Sequence, residues 1–237
     1  LDIYNDLDSD LSNLFLCVRD RLIELLAELK FLPIHSRTVF ELFKHFLAHE
    51  EVQWEVFERH IQSERALLEN RAYFTEEQAE ELRPILNKRV KLFDVERAAV
   101  FYRSIRGSFS GTVTSFGLRS LPIVRFLYLM EQASKRLQEV AIENKSATQL
   151  MTEKDDESTL FYGDPPYFEA EKLYRMRFHR KLHIRLWQKA RACRGYVVLS
   201  YNDCPFIRQL YRDFYILAFK RGNPLAHKKG AEYGELI

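Results

Sequence analysis

The sequence of 237 residues has few cysteines and glycines and no long apolar run. Its three cysteines, Cys17, Cys193 and Cys204, lie far apart and form no Cys-x-x-Cys pair, which argues against a disulfide framework and against a zinc site. No apolar run approaches the roughly 20 residues that cross a bilayer, and the first residues lack the basic and apolar regions of a signal peptide. We therefore expect a soluble globular protein of the reducing cytoplasm that binds no membrane.

Glycine is absent before Gly107, so no glycine-rich loop occurs in the first hundred residues. The chain also begins without Met, directly in strand-like sequence. We expect that the N-terminal segment of a longer protein precedes it.

Charge is nearly balanced overall but is unevenly distributed along the chain. The net charge is +2, from 36 Lys and Arg against 34 Asp and Glu. Residues 50–81 are strongly acidic, whereas 88–125 and 169–194 are basic. The acidic stretch should avoid nucleic acid, and the basic stretches are candidates for contacting it.

Strand and helix patterns alternate over much of the chain, which predicts an α/β protein with a parallel sheet. Strands are predicted over 1–4, 140–143, 159–162, 196–199, part of 210–219 and 235–237. Helices are predicted from the polar turn at 5–10 to near Pro33, over 124–139, and from Pro205 onward. A largely helical stretch, 35–121, interrupts this alternation and is far longer than an ordinary crossover connection, so it predicts an inserted lobe.

The segment Asp164-Pro165-Pro166-Tyr167 directly follows a predicted buried strand. Two prolines cannot continue a sheet, so Asp164 and Tyr167 should lie at its carboxyl edge, where open parallel sheets bind ligands. The Asp164 carboxylate and the Pro165 carbonyl can face a planar amino group as two acceptors, with Tyr167 stacked on the attached ring. The pattern indicates a site for an exocyclic amine, and a rigid turn without a function explains the bare composition about equally well.

Five segments, in this order, resemble those of the Dam-like, alpha-class DNA N6-adenine methyltransferases, which include phage and restriction-modification members. They are 3–8, 108–111, 160–167, 199–203 and 232–237. The resemblance implies a Rossmann-like methyltransferase sheet with an inserted, mostly helical target-recognition lobe. The corresponding division is a first catalytic part over 1–34, the insert over 35–121 and a second catalytic part over 122–237.

The resemblance also implies the reaction. Enzymes of this family transfer the methyl group of S-adenosylmethionine directly to N6 of an adenine flipped out of duplex DNA. By motif, Asp164 and Pro165 would accept hydrogen bonds from N6, Pro166 would complete the tetrapeptide, and Tyr167 would stack on the base. Most of the catalysis would then come from positioning and electrostatic preorganisation.

Asp6 and Asp164 are the residues expected at the cofactor. The resemblance assigns Asp6 to the ribose hydroxyls of S-adenosylmethionine; a helix cap is its alternative role, although Asp8 or Ser9 could serve as that cap. The family's Phe-x-Gly-x-Gly loop should precede Asp6 and has no counterpart in this chain. We expect that loop in the preceding segment.

The insert is expected to contact double-stranded DNA through the small-residue loop at 106–117 and the arginines around it. The resemblance and the basic charge together favour Arg103, Arg106, Ser108, Phe109, Ser110, Thr112 and Arg119, with Phe109 or Phe116 near the displaced base. A solvated basic face with core phenylalanines is the alternative.

Three further features allow two interpretations each. The basic stretch after Tyr167 is a second DNA-backbone surface or the outer face of an amphipathic helix. His179 and His183 have i, i+4 spacing, but no third ligand is evident, so we expect no metal. In the turn at 200–203, Asn202 or Asp203 orders the pocket or caps the next helix.

Two other functions remain open at this point. One is a methyltransferase that acts on an amine or amide of RNA or protein, because the same pocket suits any planar NH₂ group. The other is a catalytically silent DNA-binding module, which the absence of the glycine loop leaves possible. The DNA target sequence and the oligomeric state cannot be read from the residues.

Overall fold

The computed structural model describes residues 2–31, 37–48, 62, 66, 69–70, 75–80, 94–108, 116–117, 123–170, 174, 178–222 and 232–237. The chain forms two compact units. The N-terminal unit comprises Leu1–Tyr4 and Ser9–Ile142, and the C-terminal unit comprises Asn5–Asp8 and Glu143–Ile237. Helices and short strands occur in both, which agrees with the α/β class predicted from the sequence.

The N-terminal unit is built mainly of helices. Its elements are β1 (Asp2–Asn5, whose last residue belongs to the C-terminal unit), α1 (Ser9–Asp20), α2 (Leu22–Phe31), α3 (Arg37–Ala48), α4 (Val95–Gly107), α5 (Ile123–Leu137) and β2 (Val140–Glu143, which likewise ends in the C-terminal unit). Strands β1 and β2 pair with each other. The predictions of a strand over 140–143 and a helix over 124–139 are confirmed.

Helix α4 packs against α1, α2 and α3. It begins at Val95 because the Asp94 carboxylate accepts a hydrogen bond from the Arg97 amide at 2.8 Å, which satisfies one of the unpaired donors of the first turn. Its buried face includes Ala98 and Ala99, which are almost fully enclosed. Such small side chains let neighbouring helices approach closely, so this helix forms part of the core of the unit.

Buried polar contacts fix α1 against α4. The Asn13 amide group donates to the Asp94 carbonyl at 2.8 Å and accepts from the Asp94 amide at 3.0 Å. Three residues before Asn13, the carboxylate of Asp10 is only 2% exposed and pairs with the Arg97 guanidinium. Arg97 is one of the basic residues near the predicted DNA-binding loop, and in the structure it forms an ion pair with the buried Asp10.

The single helix predicted from the turn at 5–10 to near Pro33 is interrupted at Arg21. Helices α1 and α2 meet there, and the Arg21 amide still donates to the Cys17 carbonyl at 2.9 Å, while the Leu25 amide donates to the Arg21 carbonyl at 3.0 Å. The apolar spacing therefore continues through the break, which explains why a pattern of three and four residues does not detect it.

The C-terminal unit alternates strands and helices. Its elements are α6 (Ala147–Glu153), β3 (Leu160–Gly163), α7 (Arg180–Ala192), β4 (Tyr196–Leu199), β5 (Tyr201–Asn202), α8 (Pro205–Leu210), β6 (Ala218–Gly222) and β7 (Glu232–Leu236). Strands β3 and β4 are parallel, with Gly163 opposite Leu199. Strand β7 lies between β5 and β6 and is antiparallel to both. Within the residues that the structure describes, β3 and β4 thus form a parallel pair of the kind that the sequence predicts.

Two strand predictions in this unit need correction. The strand expected within 210–219 begins only at Ala218, because residues 211–214 form turns after α8. The strand at 159–162 was expected to be buried, but only one of its faces is. Phe161 packs into a cluster with Val197 and Leu186, whereas Leu160 and Tyr162 on the opposite face are 64% and 68% exposed.

Candidate active site

The two parallel strands bring Asp164 and Ser200 together. Asp164 directly follows β3 and Ser200 directly follows β4, and the Ser200 amide donates to the Gly163 carbonyl at 3.0 Å. The Ser200 hydroxyl donates to Oδ1 of Asp164, whose side chain is otherwise exposed. A Cβ atom on Gly163 would lie 2.7 Å from Cδ2 of Leu199, so the Leu199 side chain would have to shift. The tetrapeptide therefore lies at the carboxyl end of a strand, as expected, with its carboxylate oriented by a neighbouring hydroxyl.

The Tyr167 ring is anchored through its hydroxyl group. Tyr167 is half-buried, and its Oη donates to Oε1 of Glu235 at 3.1 Å. Burial raises the pKa of the Tyr167 phenol well above its usual value, and the neighbouring Glu235 carboxylate raises it further. The phenol therefore stays protonated and remains a hydrogen-bond donor at neutral pH.

Glu235 is a site residue that the sequence analysis did not single out. It lies on β7, is 4% exposed, and accepts two contacts from Nη1 of Arg221 at 3.2 and 3.0 Å. The sequence predicted a strand over 235–237 and a family resemblance over 232–237, but neither singles out this side chain. A glutamate in a short strand is usually exposed, so the composition gave no reason to expect a buried one.

The turn after β4 also makes a hydrogen bond to the chain just after the tetrapeptide. Nδ2 of Asn202 donates to the Phe168 carbonyl at 3.0 Å, which holds the residue that follows the tetrapeptide. Asp203 instead pairs with Arg208 of α8 at 2.5 and 2.7 Å, and this guanidinium lowers the pKa of the Asp203 carboxyl. The N-cap position of α8, just before Pro205, is occupied by Cys204, whose side chain makes no capping hydrogen bond. Of the two roles considered, Asn202 thus orders the loop and Asp203 does not provide the N-cap.

Asp6 lies at the carboxyl end of β1, in the C-terminal unit. Its half-buried carboxylate accepts a hydrogen bond from the Asp8 amide at 2.7 Å, which explains the polar turn before α1. Nδ2 of Asn144, just after β2, donates to the Asp6 carbonyl at 2.8 Å. A carboxylate held in this way at a strand end suits a ligand with two adjacent hydroxyl groups, so the residue fits the ribose of the expected cofactor.

A comparison with protein-family models matches residues 3–222 to the D12 class N6 adenine-specific DNA methyltransferases. The chain belongs to this family. The family resemblance and the assignment as a DNA methyltransferase specific for adenine N6 are thereby confirmed. Members generally use S-adenosylmethionine and are typical of restriction-modification systems. A search of curated proteins found no match.

In this D12-class methyltransferase, the structure describes three of the residues predicted to bind DNA. Arg106 is exposed near the end of α4. Arg103 is half-buried, its Nη2 donates to the Leu29 carbonyl, and burial lowers the pKa of its guanidinium. The Ser108 hydroxyl donates to the Ile105 carbonyl at 2.8 Å. The other four predicted contacts, Phe109, Ser110, Thr112 and Arg119, lie outside the described residues.

Phe116, considered for the space near a displaced base, packs within the N-terminal unit. Its ring meets that of Phe40 with centroids 5.7 Å apart, and the Arg37 guanidinium lies 5.2 Å from its centroid. Phe116 is half-buried, and these contacts favour a packing role for its ring.

The two histidines of the basic stretch differ in exposure. His179 is exposed, whereas His183 is fully buried, with its Nδ1 3.0 Å from the hydroxyl of Tyr201. The part of the chain that the structure describes holds no group of three or more potential metal ligands. Within the same described part, no helix has the length and apolar character needed to span a membrane.

Proposed function

We propose that this methyltransferase acts on an adenine that has been flipped out of duplex DNA, with S-adenosylmethionine as the methyl donor. We further propose that β3 and β4 belong to a Rossmann-like methyltransferase sheet and that residues 35–121 are a mostly helical target-recognition insert. Flipping is required because a duplex hides N6 from in-line attack, and it costs roughly a few kcal/mol of unstacking.

Asp164 and Pro165 are the proposed acceptors for N6. The Ser200 hydroxyl donates to Oδ1 of the exposed Asp164 carboxylate. In this proposal Oδ2 would accept from one hydrogen of the amino group, and the Pro165 carbonyl would accept from the other. Two acceptors in fixed positions localise the lone pair on N6 and make the nitrogen a better nucleophile. Pro166 has no amide hydrogen and stiffens the turn.

Tyr167 is proposed to stack on the flipped base. The hydrogen bond from its hydroxyl to Glu235 sets the position of the ring, and the raised pKa keeps the ring neutral. An aromatic face of fixed orientation holds the base in the geometry that transfer requires, so much of the rate enhancement comes from positioning.

Asp6 and Asp164 are the proposed cofactor contacts. When bound, S-adenosylmethionine supplies an activated methyl group. Asp6 would accept hydrogen bonds from the ribose hydroxyls with a carboxylate that the Asp8 amide already orients. The family match supports this cofactor, and the half-buried position of Asp6 supports this residue as its ribose ligand.

The observation that carries the proposal is the oriented carboxylate of Asp164 at the end of β3, and Asp164→Ala tests it. We expect the variant to lose at least about 100-fold in kcat for methyl transfer to duplex DNA, because a group that stabilises the transition state is removed. Its DNA affinity should stay within about threefold, because phosphate contacts dominate affinity. Asp213→Ala, which removes an exposed carboxylate in the same unit, is the matched control and should retain activity.

Transfer of labelled methyl groups is measured with duplex DNA, RNA and peptide as acceptors. Near-normal turnover by Asp164→Ala would contradict the role of this residue. Labelling of RNA or peptide in preference to DNA would support the broader amine or amide methyltransferase. DNA binding by the wild-type protein without any transfer would support the silent binding module.

A further inference from the structure

The buried residue Glu235 makes a hydrogen bond with one side chain and an ion pair with another. Glu235 is 4% exposed, and its carboxylate accepts a hydrogen bond from the Tyr167 hydroxyl at 3.1 Å and pairs with Nη1 of Arg221 at 3.0 Å. The Arg221 side chain itself is 61% exposed. One buried acid thus joins the stacking residue of the tetrapeptide to an arginine at the surface.

Such a carboxylate needs its partners. Removing an ionised carboxylate from water is costly unless hydrogen bonds and an opposite charge compensate, and Tyr167 and Arg221 supply both. The hydrogen bond to this compensated carboxylate holds the phenol hydroxyl beside β7.

The backbone next to Tyr167 is held as well. Nδ2 of Asn202 donates to the Phe168 carbonyl at 3.0 Å, and Asn202 lies on β5, which pairs with β7 opposite Glu235. The hydroxyl end of the ring and the chain that follows it are therefore both fixed by adjacent strands of one antiparallel sheet. This arrangement restricts the ring more than a turn alone would.

We propose that Glu235 is a positioning residue that fixes the Tyr167 ring for stacking on the target base, with Arg221 as the compensating cation. The inference rests on the proposed function, in which Tyr167 stacks on a flipped adenine. Glu235 touches neither base nor cofactor in this scheme and acts through the phenol. Its loss should therefore lower kcat through Tyr167 and leave DNA binding nearly unchanged.

The test combines kinetics with ¹⁹F NMR of protein labelled with 3-fluorotyrosine. The variants are Glu235→Gln, which keeps an acceptor but removes the charge, Tyr167→Phe, which removes the hydroxyl, and the double variant. Glu232→Gln is the matched control, because Glu232 lies on the same strand, is exposed, and faces Lys220 at 3.7 Å. The Tyr167 resonance is the one that disappears in Tyr167→Phe.

We expect Glu235→Gln to shift the Tyr167 resonance and to lower kcat about tenfold, with the KM for DNA changed less than threefold. The control should do neither, and Glu235→Gln should have little further effect in the Tyr167→Phe background. An unmoved resonance would overturn the proposal, and so would an undiminished effect of Glu235→Gln in the double variant. If Glu235→Gln fails to fold, Tyr167→Phe alone decides, because full activity without the hydroxyl contradicts the proposal.

The two proposals fail in different ways. A wild-type protein that methylates no adenine refutes the proposed function, and the ¹⁹F resonance still decides whether Glu235 holds the ring. If the wild-type protein methylates adenine but the Tyr167 resonance does not shift in Glu235→Gln, only the inference about Glu235 is refuted.

Discussion

At the scale of single residues, the geometry of Asp164 depends on the hydroxyl of Ser200. A carboxylate on an exposed turn can rotate about two bonds, and the hydrogen bond from Ser200 selects one orientation. Hydrogen bonds to charged groups are among the stronger ones in proteins. The oxygen that we propose as the acceptor for N6 is therefore fixed before substrate binds, which is the condition for electrostatic preorganisation.

Ser200→Ala should lower kcat about tenfold, which corresponds to about 1.4 kcal/mol, because the Asp164 carboxylate loses its orienting donor. The KM for DNA should change little, since Ser200 makes no proposed contact with the phosphates. Steady-state methyl transfer measures both. Ser200→Thr keeps the hydroxyl and should recover most of the activity; equal losses in the two variants would contradict the role of the hydrogen bond.

Tyr102 on α4 has a half-buried phenol whose ionisation should affect stability at alkaline pH. Burial raises the pKa of its phenol to about 12, against the opposing charges of Arg106 and Arg103. In the unfolded chain the phenol ionises near pH 10, so its contribution to stability is complete below about pH 10 and is lost as the pH rises toward 12. Tyr102→Phe should therefore make the free energy of unfolding fall less steeply between about pH 10 and 12.

Urea unfolding at several pH values within this window measures the difference. Tyr128→Phe is the matched control in the same unit, because Tyr128 is 61% exposed. If the free energy of unfolding depends on pH as steeply in Tyr102→Phe as in the wild type, or if both variants change this dependence equally, burial of Tyr102 does not determine the stability at alkaline pH.

The sequence was sufficient to find the tetrapeptide but not its supports. Asp164 to Tyr167 are contiguous, and two prolines after a strand carry a local signal. Ser200 and Glu235 lie 36 and 68 residues from their partners, and each pairing depends on which strands become neighbours. A pattern within a short window contains no information about such pairings.

At the scale of elements, periodicity located most segments but not their environment. The four-residue strand before Asp164 is apolar enough to be buried on both faces, yet Leu160 and Tyr162 are exposed. A short apolar run does not distinguish burial on one face from burial on two. The antiparallel arrangement of β5, β7 and β6 was likewise invisible, since strand direction is set by the connections and not by composition.

The approach of β4 to the turn before β3 requires a glycine. A Cβ atom on Gly195 would lie 2.4 Å from the Thr159 carbonyl oxygen and 2.5 Å from that of Asp156, so backbone would have to move. Gly195→Ala should reduce the free energy of unfolding by about 2 to 3 kcal/mol, as overpacking typically does. Because β4 leads to Ser200, kcat should fall as well.

Gly222→Ala provides the comparison, because a Cβ atom there meets no atom of the described residues within 4 Å. Denaturant unfolding of the two variants should differ by at least about 1 kcal/mol. Equal stabilities would mean that the turn adjusts to the added methyl group and that the close approach is not a constraint on β4.

At the scale of the whole molecule, net charge conceals how the basic residues are used. Of the arginines near the predicted DNA-binding loop, Arg97 pairs with buried Asp10 and Arg103 donates to a carbonyl of α2, whereas Arg106 is exposed. Counting basic residues along the chain therefore overestimates the number that can reach phosphates. Burial and pairing, which the sequence does not reveal, decide how many remain for DNA.

Arg106→Gln tests whether this face of the N-terminal unit binds DNA. Each phosphate contact contributes about 0.9 to the slope of log affinity against log salt concentration, so losing one contact should make the negative slope shallower by about 0.9. Arg136→Gln removes the same charge from the same unit, but Arg136 already pairs with Asp2 at 2.7 Å and should leave the slope unchanged. Affinities for one duplex, measured from low to moderate salt, give both slopes. Identical slopes for wild type and Arg106→Gln would assign the phosphate contacts to another surface, because the loss of a counterion-releasing contact cannot leave the salt dependence unaltered.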